Sequence, residues 1–440
     1  MVDGRITEVG RTSDGAPLPQ AERVVDATGL LVLPGVVDVH THTRLPSDTL
    51  PDRFYDDSVG AAVGGTTTFL TFNNPGTGIS KVAQQTLRAG IAEWHAATAG
   101  ESAVDFGLSG VITAQQERPE DDIPAAIDEG VATFKCFFVY DFGVDAERLR
   151  GLLAVTHGAG GLLEVHGEDR QMLDDGIAAQ LAAGRTQPRY HAASRPPACE
   201  ALGTSTAIDA ARSVGAPVYL VHVTSKAAVD VIAAARARGQ PVFAETCPQY
   251  LVLDESVYGA PDEDCTRYVI SPPLRAMSDQ EALWAALQDG RLDLIATDSV
   301  PDHLADEKRW QGQSFDQISN GAPGIETLLP VVWGRGVATG QLTPEQAVDL
   351  LCTTPARMFG LRDKGTIEPG KDADLVLLDP DARWTIRAAH QHHSSDFTLF
   401  EGMDVQGMVR RTIVRGEDVV RDGEFVGRRG FGRFQARSLG

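Results

Sequence analysis

Lysine is scarce in this 440-residue chain: six residues (Lys81, Lys135, Lys226, Lys308, Lys364 and Lys371) among 39 basic ones, the rest being arginine. Any lysine inside an apolar segment therefore stands out. Cysteine is scarce too, with five residues (Cys136, Cys199, Cys247, Cys265, Cys352) and no CxxC spacing. An odd number scattered through apolar segments excludes a disulfide framework and fits reduced thiols in a cytoplasmic protein. Positive charge is in deficit, 61 acidic residues giving a formal charge of −22. Such a chain repels phosphate backbones and anionic bilayers, so neither nucleic acid nor membrane is expected as a partner. No apolar run approaches the ~18 residues a membrane span needs. The start, MVDGRITEVG, lacks the basic-then-apolar order of a secretory leader, and a cytoplasmic location is expected.

What is present is core-forming material: 42% of residues are hydrophobic and 23% charged. Eight short apolar, β-rich runs recur, at 30–40, 66–72, 103–112, 131–140, 161–166, 216–224, 241–247 and 292–298. Helical patterns separate them, at 81–99, 145–158, 199–214, 225–238 and 279–289 among others. Ser278 with Glu281 reads as a capping box, and Thr343-Pro344-Glu345-Gln346 as another with proline at the first helical position. Eight strand–helix repeats with near-continuous apolar strands predict a closed parallel (β/α)₈ barrel of TIM type rather than an open sheet. The ends differ in texture. GTIEPGKDADLVLLD and TIVRGEDVVRDGEFVG alternate and carry turn signals, as do residues 1–30, which open on a hairpin-like Asp3-Gly4-Arg5. Both ends are expected to form one small β domain, from 1–32 and 364–440, beside a barrel at 33–363.

Candidate chemistry lies where the strands end. His40 and His42, two apart in Asp38-Val39-His40-Thr41-His42, face the same way and can share one metal ion. Lys135 sits within Thr133-Phe134-Lys135-Cys136-Phe137-Phe138, a wholly apolar setting. The plain reading is a lysine reaching to the strand end. The chemical one is a desolvated neutral amine that adds CO₂ and becomes a carbamate able to bridge two metals. His166 in LLEVHGED and His222 in VYLVHVTS each close an apolar strand. Asp298 closes the last, as ligand, general base or plain helix-type cap. Each alone is weak. In a barrel, strands one, four, five, six and eight would bring HxH, Lys, His, His and Asp to one mouth. A carbamate and an aspartate would offset two divalent ions, with neutral histidines as the remaining ligands.

These residues, with GGTTT at 64–68, FKCFF, VHGED, YHAASRP, LVHVTS, SPPLR at 271–275, SNGAPGIE at 319–326 and KGTIEPGKDADLVLLD, resemble the cyclic amidohydrolases of the amidohydrolase superfamily over nearly the whole chain. That group holds hydantoinases, dihydropyrimidinases, allantoinases and dihydroorotases. The resemblance implies a barrel plus a β-sandwich from both termini. It implies two divalent ions, zinc being the expected ion, on His40, His42, carbamylated Lys135, His166, His222 and Asp298. It further implies attack of a metal-bridging hydroxide on a cyclic amide, with Asp298 shuttling the proton to the leaving nitrogen. Homo-oligomers, dimers or tetramers, are the family habit and are expected here.

The expected substrate is a cyclic ureide. Tyr140, five residues after the lysine, stands where hydantoinases and dihydropyrimidinases have an oxyanion donor; its plain reading is an aromatic at the barrel mouth. Ser271 and Asn320 stand where those enzymes hold the ureide backbone. Two features point instead to dihydroorotase: Arg44, completing HxHxR, and Asn74 in FNNPG, both at carboxylate-binding positions of that enzyme. A guanidinium suits a carboxylate clamp, though Arg44 also reads as one surface arginine among many. The chain departs from the family where a histidine commonly follows the aspartate, since Ser299 follows Asp298 here and His303 lies further on. Family relatives that serve as scaffolds have lost metal ligands. All six positions are filled in this chain, which disfavours that role.

Overall fold

The computed structural model describes residues 1–11, 20–47, 50–73 and 86–439. Its centre is an eight-stranded parallel sheet of β2 (Val36–Thr41), β3 (Thr66–Phe72), β4 (Asp105–Val111), β5 (Thr133–Phe137), β6 (Leu162–His166), β7 (Val218–Leu220), β8 (Val242–Thr246) and β9 (Leu294–Ile295), in that spatial order. The sheet curls until its last strand meets its first. Thr41 bridges Ser299 in parallel, the His42 N–H donates to the Ser299 carbonyl at 2.7 Å, and Thr297 donates from its backbone and hydroxyl to Asp38 at 3.1 and 2.6 Å. The strands are apolar on both faces because helices cover the outside while side chains fill the inside. Val37, Leu70, Leu162, Tyr219, Leu294 and Ala296 pack within, against Phe359 and Leu361.

The expected first run, 30–40, is two strands. β1 (Leu31–Pro34) leaves the barrel at Gly35 and pairs antiparallel with β10 (Leu375–Thr385), followed by β11 (Asp404–Val414), β12 (Glu417–Arg421) and β13 (Glu424–Phe425). A side chain at Gly35 would sit 2.1 Å from the Thr67 hydroxyl, so only glycine lets the chain switch sheets there. β1 thus lies across residue 32. Asp422-Gly423 turns β12 into β13 with φ of 55° and 84°, the two-positive pattern that a right-twisted hairpin prefers. Residues 1–11 contribute isolated bridges, Val2 with Arg5 and Arg5 with Asp372, and neither they nor residues 20–30 form full strands. Arg5 is held there by Asp363 and Asp372, at 3.0 and 3.2 Å.

Helices Ala146–Gly158, Pro197–Val214 and Lys226–Ala237 follow the sequence pattern closely, and Thr343 forms the expected capping box with Gln346. The box expected at Ser278 does not form. Helix Met277–Gln288 begins after Ala276, two residues earlier, because the buried Arg275, hydrogen-bonded to the Thr224 hydroxyl at 3.0 Å, fixes the chain just ahead of it. The helix expected at 81–99 is described from Leu87 to Thr98. The C-terminal tail runs under the barrel, where buried Arg437 donates to the Thr133 hydroxyl at 2.9 Å and the Phe359 carbonyl at 3.2 Å. No helix among the described residues is long and apolar enough to cross a membrane.

The two sheets are joined by a buried ionic knot. Lys364 lies 2.6 Å from Asp105 of β4, and 2.8 and 2.7 Å from Asp372 and Asp374 beside β10. Asp105 also pairs with Arg415. Without their lysine the three carboxylates would crowd one another, with Arg415 left to Asp105 and Arg5 to Asp372 as the remaining cations. Lys364→Met should therefore lower unfolding free energy by about 3–5 kcal/mol in urea titration; a loss below about 1 kcal/mol would show that the knot contributes little.

Candidate active site

The candidate ligands other than Lys135, which is mid-strand in β5, lie at or just past the carboxyl ends of the barrel strands, the end where barrel enzymes place their chemistry. His40 closes β2, with His42 two residues on. Asp298 follows β9. Because β9 closes the barrel against β2, a single carboxylate oxygen of Asp298 comes within 3.0 Å of His40 Nε2 and 3.2 Å of His42 Nε2. These three donors form a compact cluster able to hold a metal ion. Lys135 is fully buried on β5, its Nζ 2.9 Å from His40 Nε2 and above the rings of Phe72 and Phe137. His166 ends β6 and His222 follows β7, their rings 4.5 Å apart, with His222 5.5 Å from His40. Asp298, His222 and Tyr140 have φ of 53°, 41° and 70°. Such left-handed backbone in non-glycine residues is held against its preference by surrounding structure, and it gathers at functional sites.

The electrostatics fit a bound cation. Burial and the neighbouring Lys135 push the His40 ring down, yet Glu245 and Asp298 outweigh them and lift it to about 9. Positive charge is thus favoured between those carboxylates. Burial holds His42, His166 and His222 below the ordinary histidine value, which keeps them neutral and ready to ligate. Burial alone would raise Asp298, but His40, His42 and His222 hold it well below the usual carboxylate range.

Several supporting residues escaped the sequence reading. Glu245, fully buried on β8, pairs with His40 Nδ1, accepts from Tyr219 at 2.7 Å and accepts the His222 N–H at 3.3 Å. It thereby turns Nε2 of His40 towards Asp298. Glu168 pairs with His166 Nε2 at 2.7 Å and is held by Arg195 at 2.7 Å. Glu245 carried the same signal as Lys135, a charge inside an apolar strand, PVFAETC.

Across the mouth, the Asn320 amide donates to the Tyr140 hydroxyl at 3.3 Å, and the Ser271 N–H donates to the Asn320 carbonyl at 3.1 Å. Ser271 Oγ and Asn320 Oδ1 are buried with no partner among the described residues, the profile of groups that serve a ligand. Arg44 is placed differently. Its guanidinium pairs with Asp302 and lies 3.6 Å from Glu307, an acid it shares with Arg53 at 3.1 Å. Asn74 lies outside the described residues. Ser299 is a clasp: its hydroxyl accepts from the N–H groups of Gly324 and Ile325, at 3.0 and 3.2 Å, and so anchors the loop carrying Asn320. The His303 ring nitrogen Nε2 is buried without a partner among the described residues.

The sequence profile of the amidohydrolase family matches residues 31–419. The chain is 38% identical over 424 residues to the D-phenylhydantoinase of Escherichia coli K12, covering 96% of this chain and 90% of that protein. The solved dihydropyrimidinase of Brevibacillus agri is 37% identical and superposes with a TM-score of 0.90, covering 96% and 92% of the two chains. The D-hydantoinase (dihydropyrimidinase) of a Thermus species is 32% identical with a TM-score of 0.93, covering 100% and 95%. The chain belongs to the amidohydrolase family. Within it, the chain is a cyclic amidohydrolase of hydantoinase/dihydropyrimidinase type.

His191 of YHAASRP stands behind Ser271, its Nε2 2.8 Å from the Ile270 carbonyl. Burial, then Arg195, drives it from 6.5 down to about 3. A depressed folded value means stability that is complete above pH 6.5 and lost as pH falls towards 3, at up to about 1.4 kcal/mol per pH unit. His191→Gln should flatten the fall in unfolding free energy between pH 6 and 4 by about that slope. An unchanged slope would show that His191 does not titrate across folding.

Proposed function

We propose that this chain hydrolyses the ring amide of a cyclic ureide, with two divalent ions, zinc being the expected ion, held by His40, His42, Lys135, His166, His222 and Asp298. The observation that carries the reading is the meeting of the first strand's histidine pair with Asp298 of the last, facing the Tyr140–Asn320–Ser271 group. Burial pushes Lys135 below its ordinary value, while Asp298, Glu164 and Glu245 resist. A neutral amine there forms an N–C bond to CO₂, releases a proton and becomes a carbamate. The buried cation is thereby replaced by an anion that, with Asp298, offsets the metal charge.

When bound, such an ion pair lowers the pKa of a shared water and polarises the amide carbonyl. Asp298 accepts the proton of the attacking water and returns it to the ring nitrogen as the C–N bond breaks. The Tyr140 hydroxyl donates to the carbonyl oxygen as it gains negative charge. Ser271 and Asn320 hold the ureide through the atoms that the protein leaves unpartnered. Arg44, already paired with Asp302, favours a ring without a carboxylate over dihydroorotate.

Side-by-side assays of hydantoin, dihydrouracil, dihydroorotate and allantoin test this. Opening of hydantoin or dihydrouracil is expected, and turnover of dihydroorotate alone would refute the reading. Lys135→Ala should abolish both ring opening and two-metal occupancy measured by elemental analysis. Asp298→Asn should lower kcat by about 10²–10⁴-fold. Retention of activity and both ions in Lys135→Ala would sink the ligand assignment.

A further inference from the structure

Lys308 is one of the six lysines, and the chemistry above gives it no task. Its side chain is fully buried. Nζ donates to the carbonyls of Val269 and Ser319, each at 2.7 Å. Those carbonyls belong to two segments about fifty residues apart in sequence. Val269 lies two residues before Ser271, and Ser319 immediately precedes Asn320. One rung further on, the Ser271 N–H donates to the Asn320 carbonyl at 3.1 Å. His191 holds the intervening Ile270 carbonyl at 2.8 Å. The backbone around Ser271 and Asn320 is therefore fixed, while Ser271 Oγ and Asn320 Oδ1 have no partner among the described residues.

Lysine suits this place for a simple reason. A tetrahedral nitrogen on a long stem can aim separate N–H groups at two carbonyls on different segments. Burial pushes Lys308 down to about 8, against the pull of Asp302. Even the neutral amine keeps two N–H groups, one for each carbonyl, so the bridge survives loss of the charge. Methionine has a similar length and no donor, and would leave both carbonyls to find other partners.

We propose that Lys308 is a positioning residue that sets the spacing of Ser271 and Asn320, and through them the seat of the substrate ring. The second half of this rests on the reading of Ser271 and Asn320 as ureide-holding groups. The test compares Lys308→Met and Lys308→Arg with the wild type, as full-length metal-loaded protein. Hydrogen exchange followed by mass spectrometry needs no turnover. In K308M, amides of 268–271 and 318–321 should exchange about tenfold faster or more, while β5 and β6 stay unchanged. Unchanged exchange in those two segments overturns the bridge, whatever the enzyme catalyses.

Steady-state kinetics use whichever of hydantoin or dihydrouracil the wild type opens. K308M should raise KM about tenfold or more with kcat within about threefold and metal content retained. K308R should recover most of the KM. A fall in kcat together with metal loss, at unchanged KM, overturns positioning, because Lys308 would then serve the barrel as a whole. A wild type that opens no ureide, with K308M exchanging faster, refutes the ureide reading and upholds the bridge.

Discussion

One carboxylate oxygen ties the barrel to its chemistry. Oδ1 of Asp298 lies 3.0 Å from His40 and 3.2 Å from His42, and that contact joins the last strand to the first. The same seam carries the Thr41–Ser299 bridge and the bonds from Thr297 to Asp38. Closing the barrel and assembling the candidate metal cluster are therefore one event. A chain that left the barrel open would separate the histidine pair from its carboxylate. β9, only two residues long, is held besides by its ladder with β8 and by the full burial of Leu294 and Ile295.

Around this seam the protein solves a problem of buried charge. Lys135, Glu245, Glu168 and Asp298 all sit where charged groups are costly unless matched. Each of the three acids is answered by a named neighbour: Glu245 by His40 and Tyr219, Glu168 by His166 and Arg195, Asp298 by two histidines, while Lys135 lies beside His40 Nε2. The arrangement orients the imidazoles before any cation binds, as carboxylate–histidine pairs do at metal sites in general. A second knot, Lys364 among Asp105, Asp372 and Asp374, also clusters acids, but its lysine already fills it. The two acidic clusters thus differ in kind, one built around a protein cation and the other around histidines.

Much of this was legible in the sequence, because barrel strands announce themselves as apolar runs and their ends as polar interruptions. His40, His42, Lys135, His166, His222 and Asp298 were all visible as departures from an apolar pattern. The sheet switch at Gly35 was not, since β1 and β2 form one unbroken run and only the contact with Thr67 divides them. The false capping box at Ser278 shows local signals losing to a tertiary anchor, Arg275. Arg44 reads in sequence either as a carboxylate-binding guanidinium or as one surface arginine among many. Its partners Asp302 and Glu307 lie some 260 residues away, and no local pattern reveals them. Glu245, by contrast, is as legible as Lys135, since its charge interrupts the apolar run PVFAETC in the same way.

The proposal that these six side chains hold two ions at the barrel mouth is tested most directly by anomalous diffraction from crystals of the metal-loaded protein. Two peaks are expected, with His40, His42 and Asp298 at one, His166 and His222 at the other, and density for a carboxylated Lys135 shared between them. A single peak without modification of Lys135, or ions bound only elsewhere in the chain, would contradict it.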